Sequence, residues 1–209
     1  YMTIPGNNID FNNFTSYINR FTMPNFTNFK NLYYTIEKPP LKIINFNTEA
    51  YYYPSLFPTL ESQTNFIINE LNNTNRSVFP WLVVNGHRPM YCLNWQNNKV
   101  RLNLEKLFNE YNVTVYISAN DNSYQRLCPI LNGTCQKNIN NFTYFTLNKL
   151  EYPIQIITGN SNNNGEFIKS NHLSLNTWDN FVYLGPNFGV LTTDYKMFNW
   201  SLYAISSDN

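Results

Sequence analysis

Side chains that can do chemistry are few in this chain of 209 residues, which contains only two histidines. His87 lies in the segment Asn85-Gly86-His87-Arg88-Pro89, directly after the apolar run 81–84. A histidine in a turn at the end of a strand is a candidate metal ligand or acid/base. The alternative is a structural loop histidine whose hydrogen bonds are satisfied. His172 lies in an asparagine-rich segment, where we expect a solvated side chain.

The other residue types exclude several kinds of active site. The chain has no glycine-rich phosphate loop, no Ser-His-Asp pattern and no Cys/His spacing of the zinc type. Its 13 carboxylates form no evident pair. Asp121 is the one acidic residue in the segment 118–122, which follows a second predicted strand. Residue types and spacing alone therefore indicate few candidate catalytic residues.

Hydrophobic patterning predicts the elements that position these residues. Strands in the middle of the chain alternate with helices, which predicts an α/β domain with a parallel sheet, and antiparallel strands follow at the end. Because ligand sites lie beyond the carboxyl ends of parallel strands, we expect the segments 85–88 and 118–122 to lie close together. The segment 160–165 predicts a loop, and Gly185-Pro186 a turn. The predicted strands are 41–46, 81–84, 113–117, 153–158, 181–184, 190–193 and 200–205, and the predicted helices are 62–72 and 102–108.

The composition limits the classes of protein to which this chain can belong. Charged residues make up 13% of the chain and the formal net charge is +1, so a broad nucleic-acid-binding surface is excluded. Aromatic residues make up 17%, which indicates a folded chain. No run of about 20 apolar residues is present, so we expect no membrane span in this chain. Because Tyr1 is not a methionine, we expect a processed product or a fragment of a longer polypeptide.

Asparagine is unusually abundant, with 39 of 209 residues. Eight asparagines begin Asn-X-Ser/Thr acceptors, which predict a secreted or extracellular surface protein carrying N-linked glycans. The alternative is chance, since frequent Asn and Thr produce acceptors without selection. The acceptors are Asn13, Asn25, Asn72, Asn75, Asn112, Asn132, Asn141 and Asn199.

The cysteines add a predicted disulfide. Cys128 and Cys135 bracket the segment 129–134, and Asn132-Gly133 at its tip suits a turn. A disulfide there closes a short loop and contributes about 2–3 kcal/mol in the chain-entropy model. Cys92 is then left over, either buried and inert or paired with a part of the protein outside these residues.

The stretch 80–92, PWLVVNGHRPMYC, resembles the purple acid phosphatases of the calcineurin-like metallophosphoesterase superfamily, whose pattern is P-W, three apolar residues, x and GHRPMYC. Other segments are similar to family motifs in the same order: PGNN at 5–8, YINRFTMP at 17–24, LKIINFNTEAYYY at 41–53, the stretch 107–130 and YLGPNFGVLTTD at 183–194. The resemblance implies that residues 1–209 form the C-terminal half of the family's catalytic domain. It also implies a layered α/β/β/α sandwich with mixed sheets, the metallophosphoesterase-like fold.

The family hydrolyses phosphate monoesters at a ferric ion paired with zinc or another divalent metal. By resemblance, Asn7 and His87 match ligand positions of the family. Asn8 stands where the family has a substrate-facing histidine. Asn120 and Asn122 stand where the family motif GHxH supplies one histidine to each metal. The family's upstream Asp and Asp-x-x-Tyr ligand motifs are not among these residues.

These differences from the family motifs determine which function we expect for the chain. A neutral amide oxygen is a weak ligand for iron and zinc, and a catalytic metal normally has about three good protein ligands. We therefore expect no metal, no cofactor and no catalytic residues, and a structural or binding role through self-association or other extracellular proteins. One alternative is an acid phosphatase whose metal site is completed by an upstream segment. Another is a pocket that binds phosphate or sugar without turnover through Arg88, Asn120 and Asn122.

Overall fold

The computed structural model describes the greater part of the chain. The described residues are 1–7, 14–24, 31–55, 60–91, 98–136, 150–159 and 179–204. Four helices and eleven strands lie within them. In chain order these are α1 (Thr15–Arg20), β1 (Tyr34–Lys38), β2 (Leu41–Asn45), α2 (Glu49–Tyr52), α3 (Leu60–Asn72), β3 (Trp81–Asn85), α4 (Lys99–Glu110), β4 (Val115–Ser118), β5 (Tyr124–Leu127), β6 (Ile130–Leu131), β7 (Thr134–Cys135), β8 (Ile154–Thr158), β9 (Asp179–Tyr183), β10 (Asn187–Thr193) and β11 (Phe198–Ala204).

A seven-stranded mixed sheet organises the described residues, with the order β1-β2-β3-β4-β8-β5-β9. Its centre is parallel, because β2, β3, β4 and β8 run in one direction and α3 and α4 make the crossovers between β2, β3 and β4. The remaining strands, β1, β5 and β9, pair antiparallel. The mixed α/β fold that the sequence predicts is therefore confirmed.

The two faces of the sheet bury different partners. Alternate residues of β3 point to opposite faces, so Leu82 and Val84 belong to one apolar cluster and Val83 to another. The first cluster packs against α3 and α4 through residues such as Ile67 and Leu104. The second is covered by the β10–β11 hairpin, whose side chains Phe198, Trp200 and Leu202 pack against it. Helices thus cover one face and a hairpin the other.

Several elements differ from the prediction. Strands β1 and β5 were not predicted, because their sequences YTIEK and YQRL lack an apolar run. The last strands pair antiparallel as predicted, but β9 pairs with β5, and β10 pairs with β11. The predicted loop at 160–165 lies outside the described residues. None of the described helices is both long enough and apolar enough to cross a bilayer.

The predicted disulfide is present. Cys128 and Cys135 are bonded, with their Cα atoms 5.7 Å apart, across the small β6–β7 hairpin. The turn of that hairpin places Asn132 and Gly133 at φ 48° and 74°, a left-handed geometry that suits Asn and Gly. Cys92 lies outside the described residues.

Candidate functional site

Two loops meet at the carboxyl ends of the parallel strands, as the sequence predicts. We call residues 86–89, after β3, the His87 loop and residues 119–122, after β4, the Asn120 loop. The strands β3 and β4 pair in parallel up to this point. Beyond them, the N–H of Ala119 donates to the carbonyl of His87 at 2.9 Å. Backbone pairing therefore continues past the strands and fixes one loop against the other.

His87 lies among amide side chains. Its Nε2 is 2.8 Å from Oδ1 of Asn7, and the side chain of Asn120 lies close enough to the ring to favour its protonated form. Gly6 approaches the ring so closely that a Cβ at that position would lie 2.9 Å from Nδ1 of His87. Burial lowers the pKa of His87 below its usual value of 6.5, while the Glu49 carboxylate opposes this shift. The imidazole is therefore neutral at pH 7, and the structure brings Asn7, His87 and Asn120 together.

The Asn120 loop exposes two amide side chains to solvent, and its one carboxylate is hydrogen-bonded to a nearby glutamine. Asn120 has φ 63°, a left-handed conformation that asparagine tolerates, and both Asn120 and Asn122 are exposed. Oδ2 of Asp121 accepts a hydrogen bond from Nε2 of Gln125 at 2.9 Å. Gly159 packs against this turn, since a Cβ there would lie 1.9 Å from the Asp121 carbonyl oxygen. A shift of the loop that would bring Asp121 to His87 must therefore break both contacts.

Arg88 is paired with a buried carboxylate that the sequence reasoning missed. Its Nε donates to Oε1 of Glu49 at 2.8 Å, and its Nη2 donates to Oε2 at 2.7 Å. The side chain of Glu49 is 2% exposed and that of Arg88 is 17% exposed. The guanidinium carbon also lies 4.2 Å from the centre of the Tyr52 ring. An anion bound by Arg88 would therefore share the guanidinium with Glu49. No local signal in the sequence connects these residues, which are 39 positions apart.

A buried floor supports the His87 loop. Tyr116 is fully buried, and its hydroxyl donates to the carbonyl of Arg88 at 2.5 Å. Burial raises the pKa of Tyr116 well above its usual value, so the phenol keeps its proton. A Cβ at Gly86 would lie 2.7 Å from this hydroxyl and 2.8 Å from Cγ2 of Thr48. A side chain at position 86 would therefore displace the groups that support the loop, Tyr116 and Thr48.

The donors at this edge do not suit a pair of transition metals. His87 is the one imidazole among the described residues, and the side chain that contacts its Nε2 is the amide of Asn7. Within the described ranges, no group of three or more His, Cys, Asp and Glu side chains is placed to hold a metal ion. Amide oxygen is a weak ligand for iron or zinc, whereas a catalytic site normally has about three good protein ligands. Asn8 lies outside the described residues.

The predicted glycosylation sites fall into two groups. Five acceptor asparagines are described, and the side chains of all five are exposed: Asn72, Asn75, Asn112, Asn132 and Asn199. Exposure is what a glycan requires, so these five remain predicted acceptors. Three further acceptors, Asn13, Asn25 and Asn141, lie outside the described residues, as does His172.

Comparisons with known proteins agree with the resemblance. The chain is 34% identical over 178 residues to human acid phosphatase type 7, covering 77% of this chain and 40% of that protein. It is 32% identical over 112 residues to an Arabidopsis thaliana protein named probable inactive purple acid phosphatase 9, covering 51% of this chain and 16% of that protein. No family model matches the chain.

Two solved structures share the fold. The purple acid phosphatase from yellow lupin seeds matches with a TM-score of 0.69 at 21% identity, over 91% of this chain and 33% of that one. A Plasmodium protein described as the anchor in the inner membrane complex matches with a TM-score of 0.55 at 18% identity, over 81% of this chain and 47% of that one. The chain spans about two fifths of the length of the human relative. Sequence and fold together show a chain of the purple acid phosphatase-like family.

Proposed function

We propose that this chain is part of a purple acid phosphatase-like protein that no longer hydrolyses phosphate esters and has a structural or binding role. The observation that carries the proposal is the environment of His87. Its ring contacts the amides of Asn7 and Asn120, at positions where the family pattern has metal ligands. A neutral imidazole surrounded by amides is a hydrogen-bonded cluster and a poor donor set for iron or zinc.

The contact between His87 and Asn7 competes with metal binding. A metal needs a lone pair on a ring nitrogen, and the tautomer in which Nε2 donates to Oδ1 of Asn7, 2.8 Å away, has no lone pair at that atom. In that tautomer, metal binding at Nε2 would have to displace the proton and the hydrogen bond. The Asn120 loop offers no stronger donor in exchange, because the Asp121 carboxylate bonds to Gln125.

The names of two similar proteins support a role other than catalysis. The Arabidopsis relative is itself named probable inactive, and the Plasmodium structural neighbour is described as an anchor. Function must be argued from the site, since one fold supports several roles.

We infer that this chain associates either with itself or with another extracellular protein. Sizing of the purified protein tests this. A clean monomer without a bound partner would count against the structural role.

The proposed location is the secretory pathway and the extracellular surface. The disulfide between Cys128 and Cys135 favours an oxidising compartment, and five acceptor asparagines have exposed side chains. Treatment with an N-glycosidase tests the proposal, because each occupied site loses a glycan and the freed asparagine becomes aspartate, a change that peptide mass mapping assigns by residue. A protein from its native source with no modified acceptor would overturn it.

The second candidate is an acid phosphatase completed by other parts of the protein. It is favoured by the contact between Asn7 and His87, two family ligand positions that remain adjacent. It is also favoured by the 34% identity to a human protein named an acid phosphatase. In this reading residues 1–209 are the C-terminal portion of a catalytic domain, and upstream carboxylates complete a site for iron and a divalent metal.

Metal content and hydrolysis of p-nitrophenyl phosphate at acidic pH, measured on the full-length protein, separate the two candidates. The first expects neither stoichiometric metal nor turnover. A variant with histidine at Asn8, Asn120 and Asn122 should bind more zinc than the wild type if upstream ligands are present. Asn103→His, an exposed change on α4, is the matched control and should not. Stoichiometric iron or zinc with turnover in the wild type would overturn the first candidate.

A further inference from the structure

A cavity opens at the end of the sheet opposite the His87 loop. Its volume is about 310 Å³, and it lies at the amino ends of three parallel strands, β3, β4 and β8. Pro80, Thr114 and Pro153, each directly before one of these strands, are among its lining residues. A strand of five residues is about 17 Å long, so this cavity is separate from the candidate site.

A predicted glycosylation acceptor lies in the wall of this cavity. Asn112, in the turn after α4, is one of the lining residues and begins the acceptor sequence Asn112-Val113-Thr114. Asn112 is exposed, and so is Glu151, another lining residue, so the cavity is open to solvent where these two residues lie. An N-linked glycan is bonded to the side-chain nitrogen of its asparagine. The first sugar of a glycan on Asn112, an N-acetylglucosamine, is therefore held at the mouth of the cavity.

The lining of the cavity suits a neutral sugar. A sugar ring has C–H groups that pack against apolar and aromatic side chains, and hydroxyls that need hydrogen-bond partners. Pro80, Leu150 and Tyr152 supply the apolar part of the wall. The carboxylate of Glu151, which belongs to none of the ion pairs among the described residues, is an acceptor for hydroxyls. This carboxylate repels an anion, so the lining favours an uncharged ligand rich in hydroxyls.

We propose that the first N-acetylglucosamine of a glycan on Asn112 occupies this cavity. The covalent bond gives the sugar a high effective concentration there, so weak contacts are sufficient to hold it. The volume lies at the lower end of the range of about 300–1,000 Å³ for ligand pockets, which fits one sugar and leaves the rest of the glycan in solvent. The inference rests on the proposed location in the secretory pathway, where N-linked glycans are added.

Two other arrangements compete with this one. A glycan on Asn112 could extend into solvent and leave the cavity to water. Alternatively, the cavity could take a sugar from Asn75, an exposed acceptor directly before the lining residue Arg76. Asn132 provides a matched comparison, because it is an exposed acceptor in the same left-handed conformation, with φ 48° against 51° for Asn112, and it does not line the cavity.

The rate at which an N-glycosidase releases each glycan from the native full-length protein tests the proposal, with peptide mass mapping to assign each site. Release at Asn112 should be at least about tenfold slower than at Asn132, because the seated sugar must first leave the cavity. After denaturation the two rates should be similar. Tyr152→Ala removes part of the wall and should bring the native rate at Asn112 close to that at Asn132. Asn75→Asp removes the neighbouring acceptor and should leave the rate at Asn112 unchanged.

A second measurement keeps the test decisive if Tyr152→Ala folds poorly. The protein is made with high-mannose glycans, trimmed by an endoglycosidase to one sugar at each acceptor, and followed in thermal unfolding. Asn112→Asp should lower the melting temperature by at least about 2 °C more in this trimmed protein than in protein made without glycans, because only the trimmed form loses the contacts of the sugar. Asn132→Asp should have the same effect in both preparations.

The outcomes separate this inference from the proposed location. If Asn112 carries no glycan while other acceptors do, the inference fails and the location stands; if no acceptor is modified, both fail. Equal release at Asn112 and Asn132 in the native protein would show a glycan that does not enter the cavity. Slow release that persists in a folded Tyr152→Ala variant, or that disappears in Asn75→Asp, would also overturn the proposal.

Discussion

The pair between Arg88 and Glu49 should be the most sensitive charged contact near the candidate site. Glu49→Gln keeps the shape of the side chain and removes its charge, which leaves the Arg88 guanidinium, 17% exposed, without its carboxylate. Loss of one member of a buried pair costs about 3–5 kcal/mol. Because Arg88 keeps some contact with solvent and with the Tyr52 ring, we expect the lower end, about 3 kcal/mol.

Thermal unfolding followed by circular dichroism measures this cost. For a cooperative unit of 150–250 residues, 1 kcal/mol shifts the melting temperature by about 2–4 °C, so Glu49→Gln should lower it by about 6–12 °C. Glu110→Gln is the matched control, because Glu110 pairs with Lys106 at 3.6 Å on the surface of α4, where the two side chains are 54% and 90% exposed. The control should cost no more than about 0.5 kcal/mol.

A double variant separates the pair from its parts. Arg88→Met combined with Glu49→Leu removes both charges and keeps apolar volume. Its cost in stability should be smaller than the sum of the costs of Arg88→Met alone and Glu49→Leu alone. Equal shifts for Glu49→Gln and Glu110→Gln would refute the reasoning. Strict additivity in the double variant would refute it as well, because it would show that the two groups do not interact in the folded protein.

Three further predictions concern the same region and the disulfide. Gly86→Ala should destabilise the protein by about 1–3 kcal/mol in thermal melts, because its Cβ would lie 2.7 Å from the Tyr116 hydroxyl, and an unchanged melt would contradict this contact. Reduction of the Cys128–Cys135 bond should cost about 2–3 kcal/mol, seen as a lower melting temperature in dithiothreitol that a Cys128→Ala/Cys135→Ala variant does not show. The pKa of His87 is lowered by burial, so the unfolded state takes up its proton first. The stability from neutral His87 is present above about pH 6.5 and is lost as pH falls through the folded pKa. An NMR titration of the His87 ring with a midpoint above 6.5 would contradict this sign.

The central strands could be predicted from the sequence because their signal is local. The run at 81–84 is apolar at every position, and in the structure it forms β3, buried on both faces of the sheet. β5 could not be predicted in this way, because its sequence YQRL carries Gln125, which is fully buried there. Its place in the sheet depends on pairing with β8 and β9, and these contacts are distant in sequence.

The contacts of the candidate site also differ in whether the sequence predicts them. The meeting of His87 with Asn120 follows from two neighbouring parallel strands that end together, a relation that apolar runs and chain order reveal. The pairing of Arg88 with Glu49 and the support of Gly86 by Tyr116 depend on side-chain packing across elements. Neither leaves a periodic or spaced pattern in the sequence. The resemblance to the family identified the candidate ligand positions, and the structure identified the contacts that hold the two loops in place.

The contacts that shape the site explain how its ligand types can change while its geometry is kept. The His87 loop rests on glycine against Tyr116, and the Ala119 N–H to His87 carbonyl bond joins it to the Asn120 loop. None of these contacts uses the side chains at positions 120 and 122, which are exposed. Exchange between asparagine and histidine at those positions therefore leaves the framework intact. The fold is therefore consistent with either type of side chain at positions 120 and 122.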